Sequence, residues 1–266
     1  MRSTFLQKIL DAKRKRVEAA KNEIDFNSLR KKSEQVRAAS KPHRLREILQ
    51  NGDKINIIAE IKRASPSKGV INDKINVADV ARTYEKGGAC AISVLTEEDF
   101  FAGSLSDLQT ARNSVSLPIL RKDFIIDEFQ ITEAAAHGAD VILLIAAMLD
   151  NDDLKKFRFL AEQEFNLDVL FEVHTLEELE RAVKIGAKII GVNNRDLHSF
   201  AVSLDVSREL IKHAPSDVLM VAESGLQTRD DLFELKDLGF SGFLIGETLM
   251  KTRNAESKLK EFIQAN

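Results

Sequence analysis

Glu60 and Lys62 stand two positions apart at the end of an apolar run that starts at Ile55, just before the loop "SPSKG". Side chains two apart on a strand share a face. If Ile58 points into a core, an acid and a base emerge together at its edge. The same parity groups Leu120, Lys122 and Phe124, then Leu170 and Glu172, Gly191 and Asn193, and Val221 and Glu223. A lone lysine after an apolar run is an ordinary strand end reaching water. Glu172 is harder to place that way: it lies between Phe171 and Val173, and an unpaired buried carboxylate is costly. Five such strand ends meeting at one place would set carboxylates and an amide against two lysines. Mutual charge then moves pKa values away from those in solution, as acid–base chemistry near neutral pH requires.

Two further segments, "AESGL" and "LIGETL", each place a glycine, Gly225 and Gly246, at a strand end before a helix. Backbone N–H groups at such turns can hold an anion, and Ser224 and Thr248 stand beside them. Ser65, in the early loop, is a further donor. A structural glycine at a corner is the plain alternative for either one alone. The histidines at 43, 137, 174, 198 and 213 have no metal-ligand spacing, and no G-x-S-x-G elbow is present, so neither a metal centre nor a nucleophile triad is expected. His174 shares the parity of Glu172 but reads as a loop histidine.

The elements that must carry these residues follow from the apolar pattern. Eight short runs rich in Val and Ile recur: "INIIAEI", "CAISVL", "PILRKDF", "VILLIA", "LDVLFEV", "KIIGVNN", "VLMVAES" and "GFLIGE". Many do not alternate, as strands buried on both faces should not. Between them lie helical patterns such as "DEFQITEAAAHG", "TLEELERAVKIG" and "TRDDLFELKDLG", ending in Gly138, Gly186 and Gly239. Thr175 and Thr228 sit at N-cap positions, the first with Glu178 at capping-box spacing. Strand then helix, eight times, predicts an α/β fold, a (β/α)8 TIM barrel with its site at the C-terminal strand ends; a doubly wound sheet is the rival. The phosphate position usual in such a barrel, after strands seven and eight, coincides with Gly225 and Gly246. Residues 1–266 read as one domain, with residues 1–50 a helical N-terminal extension.

Composition narrows the class. The 266 residues are 44% hydrophobic and 30% charged with a net charge of −3, so a large core is available and no general attraction to nucleic acid or membrane is expected. No apolar run reaches the roughly 18 residues of a membrane span. The single cysteine, Cys90, fits a reducing compartment and reads as a small buried hydrophobe. A cytoplasmic location is expected. The basic cluster Lys13–Arg16, with Phe5, Ile9 and Val17 at helical spacing, reads as a solvated helix face.

Taken in order, "EIKRASPSKG", "LTEEDFFAGS", "LRKDFI", "FEVH", "GVNNRDL", "AESG" and "LIGE" closely resemble the indole-3-glycerol-phosphate synthase family of tryptophan biosynthesis, from about Ile57 to Met250. The resemblance implies a phosphorylated small-molecule substrate, 1-(2-carboxyphenylamino)-1-deoxyribulose 5-phosphate. It would be converted to indole-3-glycerol phosphate with loss of carbon dioxide and water, without a cofactor. It also implies Lys122 as general acid, Glu172 as its partner acid or base, and Lys62 as a catalytic residue at the substrate carboxylate that takes part in the acid–base steps. Glu60, Asn193, Arg195, Glu223 and Ser224 match further site positions. Phe101, Phe124, Pro66 and Leu197 would wall the aromatic ring, and Arg195 has the fork to meet its carboxylate. Leu226 stands where isoleucine is frequent. Glu247 sets a negative side chain beside the phosphate position, where the backbone must bind while the carboxylate turns away. A Schiff-base aldolase on the same barrel and a non-catalytic phosphate-binding barrel are the alternatives. Association with other tryptophan-pathway enzymes stays open.

Overall fold

Every residue of the strand Ile57–Ile61 is buried, as a strand covered on both faces requires. The computed structural model describes residues 4–52, 54–66, 68–197 and 199–264. The eight apolar runs form β1 (Ile57–Ile61), β2 (Ala91–Leu95), β3 (Ile119–Lys122), β4 (Val141–Ile145), β5 (Asp168–Val173), β6 (Ile189–Asn193), β7 (Leu219–Glu223) and β8 (Gly242–Ile245). Each pairs in parallel with the next, and β8 returns to β1 through Ile57 opposite Phe243 and Ile58 opposite Leu244. The sheet is therefore a closed barrel. The doubly wound alternative is excluded.

Helices separate the strands, and their ends obey local chemistry. The Thr175 side chain accepts the N–H of Glu178 at the start of the helix Leu176–Lys184. Glu178 does not complete the capping box on Thr175; its carboxylate accepts the N–H of His174 at 2.7 Å. Thr228 and Asp231 do form the reciprocal box at the start of Arg229–Asp237. Gly138, Gly186 and Gly239 turn the chain into the next strand with φ of 83°, 81° and 115°, conformations open to glycine because it lacks a Cβ.

Three helices precede β1: α1 (Thr4–Glu23), α2 (Phe26–Ala38) and α3 (Arg44–Leu49). Two buried aspartates fasten α2 and α3 to the base of the barrel. Asp168 Oδ2, at the start of β5, accepts the N–H groups of Leu45 and Arg46 at 2.9 Å each, so it neutralises the N-terminus of α3 from outside the helix. Asp140, just before β4, meets Arg37 of α2, Arg44 of α3 and Arg112 from the helix Leu105–Ser114. Arg37 also donates to the carbonyls of Phe165 and Ala139, at 2.8 and 3.0 Å. Cys90 lies on the same side; burial pushes its thiol up to about 12, which leaves it protonated and unreactive.

Candidate active site

Lys122 ends β3 on the face of Leu120, and the barrel curves so that β5 and β7 reach the same point. Its ammonium stands 2.9 Å from Glu172 Oε2 of β5 and 2.9 Å from Glu223 Oε2 of β7. Burial alone would lower the lysine pKa, but the carboxylates of Glu172, Glu223 and Glu60 outweigh it and hold the ammonium charged. The two glutamates respond differently. Burial raises the Glu172 pKa, yet Lys122 and His174 more than reverse this and keep it below the usual carboxylate range. At Glu223 burial wins, aided by repulsion from Glu172 and Glu60, and the pKa rises to about 7 despite Lys122. One lysine thus sits between an ionised carboxylate and one poised near neutrality, a division suited to acid–base work.

Space for these carboxylates comes from missing side chains. A Cβ on Gly191 would overlap Glu223 Oε1, and a Cβ on Gly246 would overlap Glu60 Oε1. Gly246 is expected from sequence to open the backbone to phosphate; the packing reason found here is the Glu60 carboxylate. Glu60 in turn forms a 2.6 Å ion pair with Lys62. Glu223 Oε1 is buried against Gly191 with no hydrogen-bond partner among the described residues, a cost that functional sites often carry.

Asn193 ends β6, where its Oδ1 accepts the N–H of Arg195 at 3.0 Å, and its side chain also favours the ionised form of Glu172. Arg195 donates to the Phe200 carbonyl at 3.2 Å and has Glu247 Oε2 at 3.6 Å. The Glu247 carboxylate is held by Lys251 at 2.6 Å, which keeps its pKa low, with Lys68 4.0 Å away. After β7, Ser224 and Gly225 both take positive φ, 64° and 83°. That is costly for a serine, and such strain concentrates at functional sites. Thr248 Oγ1 reaches across to the Leu226 carbonyl at 2.8 Å, joining the loops after β7 and β8.

The aromatic wall is set by a hidden acid. Buried Glu97 accepts the N–H groups of Asp99, Phe100 and Phe101 at 3.1, 2.7 and 3.1 Å, which fixes the loop after β2. Phe101 then lies 6.1 Å from Phe124, centroid to centroid, at 44°. In the loop after β1, Ala64–Ser65 pairs with Gly69–Val70 as a short hairpin that brings Ser65 and Pro66 over the mouth. Ser67 and His198 lie outside the described residues.

One cavity of about 850 Å³ is lined by Glu60, Lys62, Ser65, Pro66, Phe101, Lys122, Phe124, Glu172, Asn193, Arg195, Leu197, Glu223, Ser224, Gly225, Gly246 and Glu247. All the sequence-predicted site residues therefore meet in one place. Leu6 and Ile9 of α1 also line it. So does Asp123, the neighbour of Lys122. Of the basic cluster expected as a solvated helix face, Arg14, Lys15 and Arg16 are exposed, and Lys13 alone turns inward. Lys13 is buried and pairs with Asp123 at 2.6 Å, while Arg16 pairs with Glu98 and with Asp99 on the Phe101 loop. Arg121 and Lys13 overcome the burial of Asp123 and hold its pKa at about 2. Local periodicity could not reveal a lysine whose partner lies more than a hundred positions away. The apolar spacing of Ile9 and Val17 was the available signal that this helix has an inward face, and both are buried.

Comparison with known proteins adds to the geometry. The profile of the family described as Indole-3-glycerol phosphate synthase matches residues 6–262. The indole-3-glycerol phosphate synthase of Carboxydothermus hydrogenoformans is 46% identical over 253 residues, spanning 93% of this chain and 95% of its own. That of Koribacter versatilis is 43% identical over 261 residues, spanning 98% and 99%. Among solved structures, the thiamine phosphate pyrophosphorylase of Pyrococcus furiosus superposes with a TM-score of 0.60 at 19% identity, over 82% of this chain and 95% of that one. This last likeness is one of fold alone. With a closed barrel, the clustered strand-end residues and a match over nearly its whole length, the chain belongs to the indole-3-glycerol phosphate synthase family.

Proposed function

We propose that the cavity closes, decarboxylates and dehydrates 1-(2-carboxyphenylamino)-1-deoxyribulose 5-phosphate to indole-3-glycerol phosphate, with Lys122 as the general acid of ring closure. The family is a carboxy-lyase family of tryptophan biosynthesis. The observation that carries the assignment of roles is the Lys122 ammonium held 2.9 Å from each of Glu172 and Glu223. Attack of the aromatic ring turns the ketone oxygen into a hydroxyl, so that oxygen needs a proton donor at hydrogen-bond distance. Lys122 supplies it. Lys62, oriented by Glu60, meets the substrate carboxylate, with Arg195 as a second cation on that side. Loss of carbon dioxide returns an electron pair to the ring and needs no metal. Dehydration then requires an acid at the departing hydroxyl and a base for a ring-side proton, roles for Glu223 and Glu172. Phe101, Phe124, Pro66 and Leu197 enclose the aromatic ring. Ser65, Ser224, Gly225, Gly246 and the backbone at Glu247 take the phosphate, with Lys68 and Lys251 close by.

A Schiff-base aldolase would need Lys122 as a free amine, and the carboxylates around it favour the ammonium instead. We further place the chain in the cytoplasm as a single domain extended by residues 1–50; among the described residues no helix is long and apolar enough to cross a membrane. Adding the substrate and following the fluorescence of the indole product tests the reaction. Lys122→Ala should reduce kcat by about 10²–10⁴, the range of a general acid. Turnover equal to wild type at saturating substrate would remove Lys122 from the mechanism.

A further inference from the structure

His174 shares the parity of Glu172 and follows β5 in a loop, as the sequence implies, and its ring lies between two carboxylates. Nε2 stands 3.6 Å from Glu172 Oε1 and Nδ1 stands 3.4 Å from Glu178 Oε2. Both nitrogens are buried, and among the described residues neither has a hydrogen-bond partner at closer range. Glu178 is not free to turn away, because the backbone N–H of His174 holds the same Oε2 at 2.7 Å. Side-chain exposure rises along the row, from 4% at Glu172 to 11% at His174 and 15% at Glu178. The row therefore leads from the reacting centre through His174 to the more exposed Glu178, at the start of the helix that follows β5.

The reaction under "Proposed function", on which this inference rests, needs such a route. Its substrate enters as a carboxylate anion, and carbon and oxygen leave as neutral carbon dioxide and water. Charge balance then demands that one proton enter from solvent in each turnover. We propose that His174 is a positioning residue that fixes the Glu172 carboxylate and relays this proton to it from the Glu178 side. The neutral ring accepts a proton at Nδ1 and becomes an imidazolium with an N–H directed at each carboxylate. It releases the Nε2 proton to Glu172 Oε1. Glu172, now a carboxylic acid, returns a proton through Oε2 to the Lys122 amine left after Lys122 has protonated the ketone. Lysine ends as ammonium and Glu172 as carboxylate; the neutral ring, left protonated at Nδ1, returns to the Nε2–H tautomer by exchange before the next turnover, so the cycle closes with one solvent proton consumed. The charged groups that face the ring are Glu172 and Glu223 from the barrel and Glu178 from its own βα loop helix; despite burial they hold the imidazole above its ordinary pKa.

Two measurements on the full-length protein test this. The first is kcat against pH for wild type, His174→Gln and His174→Ala. The expected result is a loss of about tenfold in kcat, smaller than the 10²–10⁴ of a direct general acid, steepening toward high pH where proton supply limits. KM should be unchanged, and added imidazole should restore kcat in His174→Ala. Unchanged kcat, or a fall that imidazole does not rescue and that leaves the pH profile unaltered, overturns the relay. The second is the NMR titration of the ring, which is independent of turnover. It should titrate above the ordinary value of about 6.5 and move down in Glu178→Gln. A ring titrating at the ordinary value, or indifferent to Glu178, overturns the proposal. Absence of turnover in wild type would instead count against the reaction assigned to the site, and the titration would still decide the role of the ring.

Discussion

Glu223 Oε1 occupies the volume that a Cβ on Gly191 would need. The two residues sit on neighbouring strands, with Gly191 opposite Val221 and Asn193 opposite Glu223, so the contact is diagonal across the inner barrel face. Gly191→Ala must therefore push the near-neutral carboxyl away from Lys122. Because a misplacement of about 1 Å can cost roughly 10²-fold in rate, kcat should fall by about that factor while the barrel stays folded. Steady-state kinetics beside a circular-dichroism melt would check it. Wild-type kcat in a folded Gly191→Ala protein would show that the Glu223 position is not critical.

The raised pKa of Glu223 has a pH signature. In the unfolded chain a glutamate releases its proton near 4.5, whereas in the fold Glu223 keeps it to about 7. Between those values the folded state binds the extra proton, so its contribution to stability is full below 4.5 and is lost as pH rises through 7. Denaturant unfolding of wild type and Glu223→Gln from pH 4.5 to 8 should show the difference between them changing by up to roughly 1 kcal/mol per pH unit. Wild type should lose ground to the variant as pH rises. A flat difference would mean that Glu223 titrates at its ordinary value.

Lys13→Met should destabilise the protein. Asp123 would keep Arg121 at 3.1 Å, Thr96 Oγ1 at 2.7 Å and the N–H of Phe124 at 2.8 Å. It would lose its shortest charged partner. Hydrogen bonds to a charged group contribute roughly 1.5–3 kcal/mol, and a loss of that size is expected in chemical denaturation. A double-mutant cycle with Asp123→Asn should show coupling. Stability equal to wild type in Lys13→Met would mean that the pair contributes nothing net.

The phosphate end is tested with dephosphorylated substrate. Losing two or three charge-assisted hydrogen bonds of roughly 1.5–3 kcal/mol each should reduce kcat/KM by at least about a hundredfold. Remote binding energy also aligns the reacting centre, so kcat should fall with affinity. Gly246→Ala cannot serve as the clean probe of this site, because its methyl group would first displace the Glu60 carboxylate. Comparable kcat/KM for the two substrates would remove the phosphate assignment from the loops at Ser224–Gly225 and Gly246.

What the sequence made legible was whatever is local. The eight strands announce themselves by apolar runs, the caps at Thr175 and Thr228 by position, and the site by charges of one parity at strand ends. Pairings over long separations left no such trace. The Lys13 contact with Asp123, the three arginines around Asp140 and the Asp168 cap on α3 depend on elements distant in the chain. Gly191 reads locally as a small residue in a strand; only the closed barrel shows that Glu223 needs its space. His174 was visible but mute, since parity says nothing about what stands behind a side chain.

The docking of α1 has a consequence for how the protein is made. Leu6, Ile9, Leu10 and Val17 are buried in the finished fold, yet Lys13 of the same helix waits for Asp123 and Arg16 for Asp99. These partners leave the ribosome about a hundred residues later, and the barrel itself cannot shut until β8 meets β1 near the chain's end. A helix on the N-terminal side of the barrel thus takes its ion-pair partners from segments made much later. Throughout elongation its apolar stripe stays uncovered, a temporary sticky surface of the kind chaperones shield. A helix whose Leu6 and Ile9 line the cavity is then also a surface that the growing chain must keep from sticking.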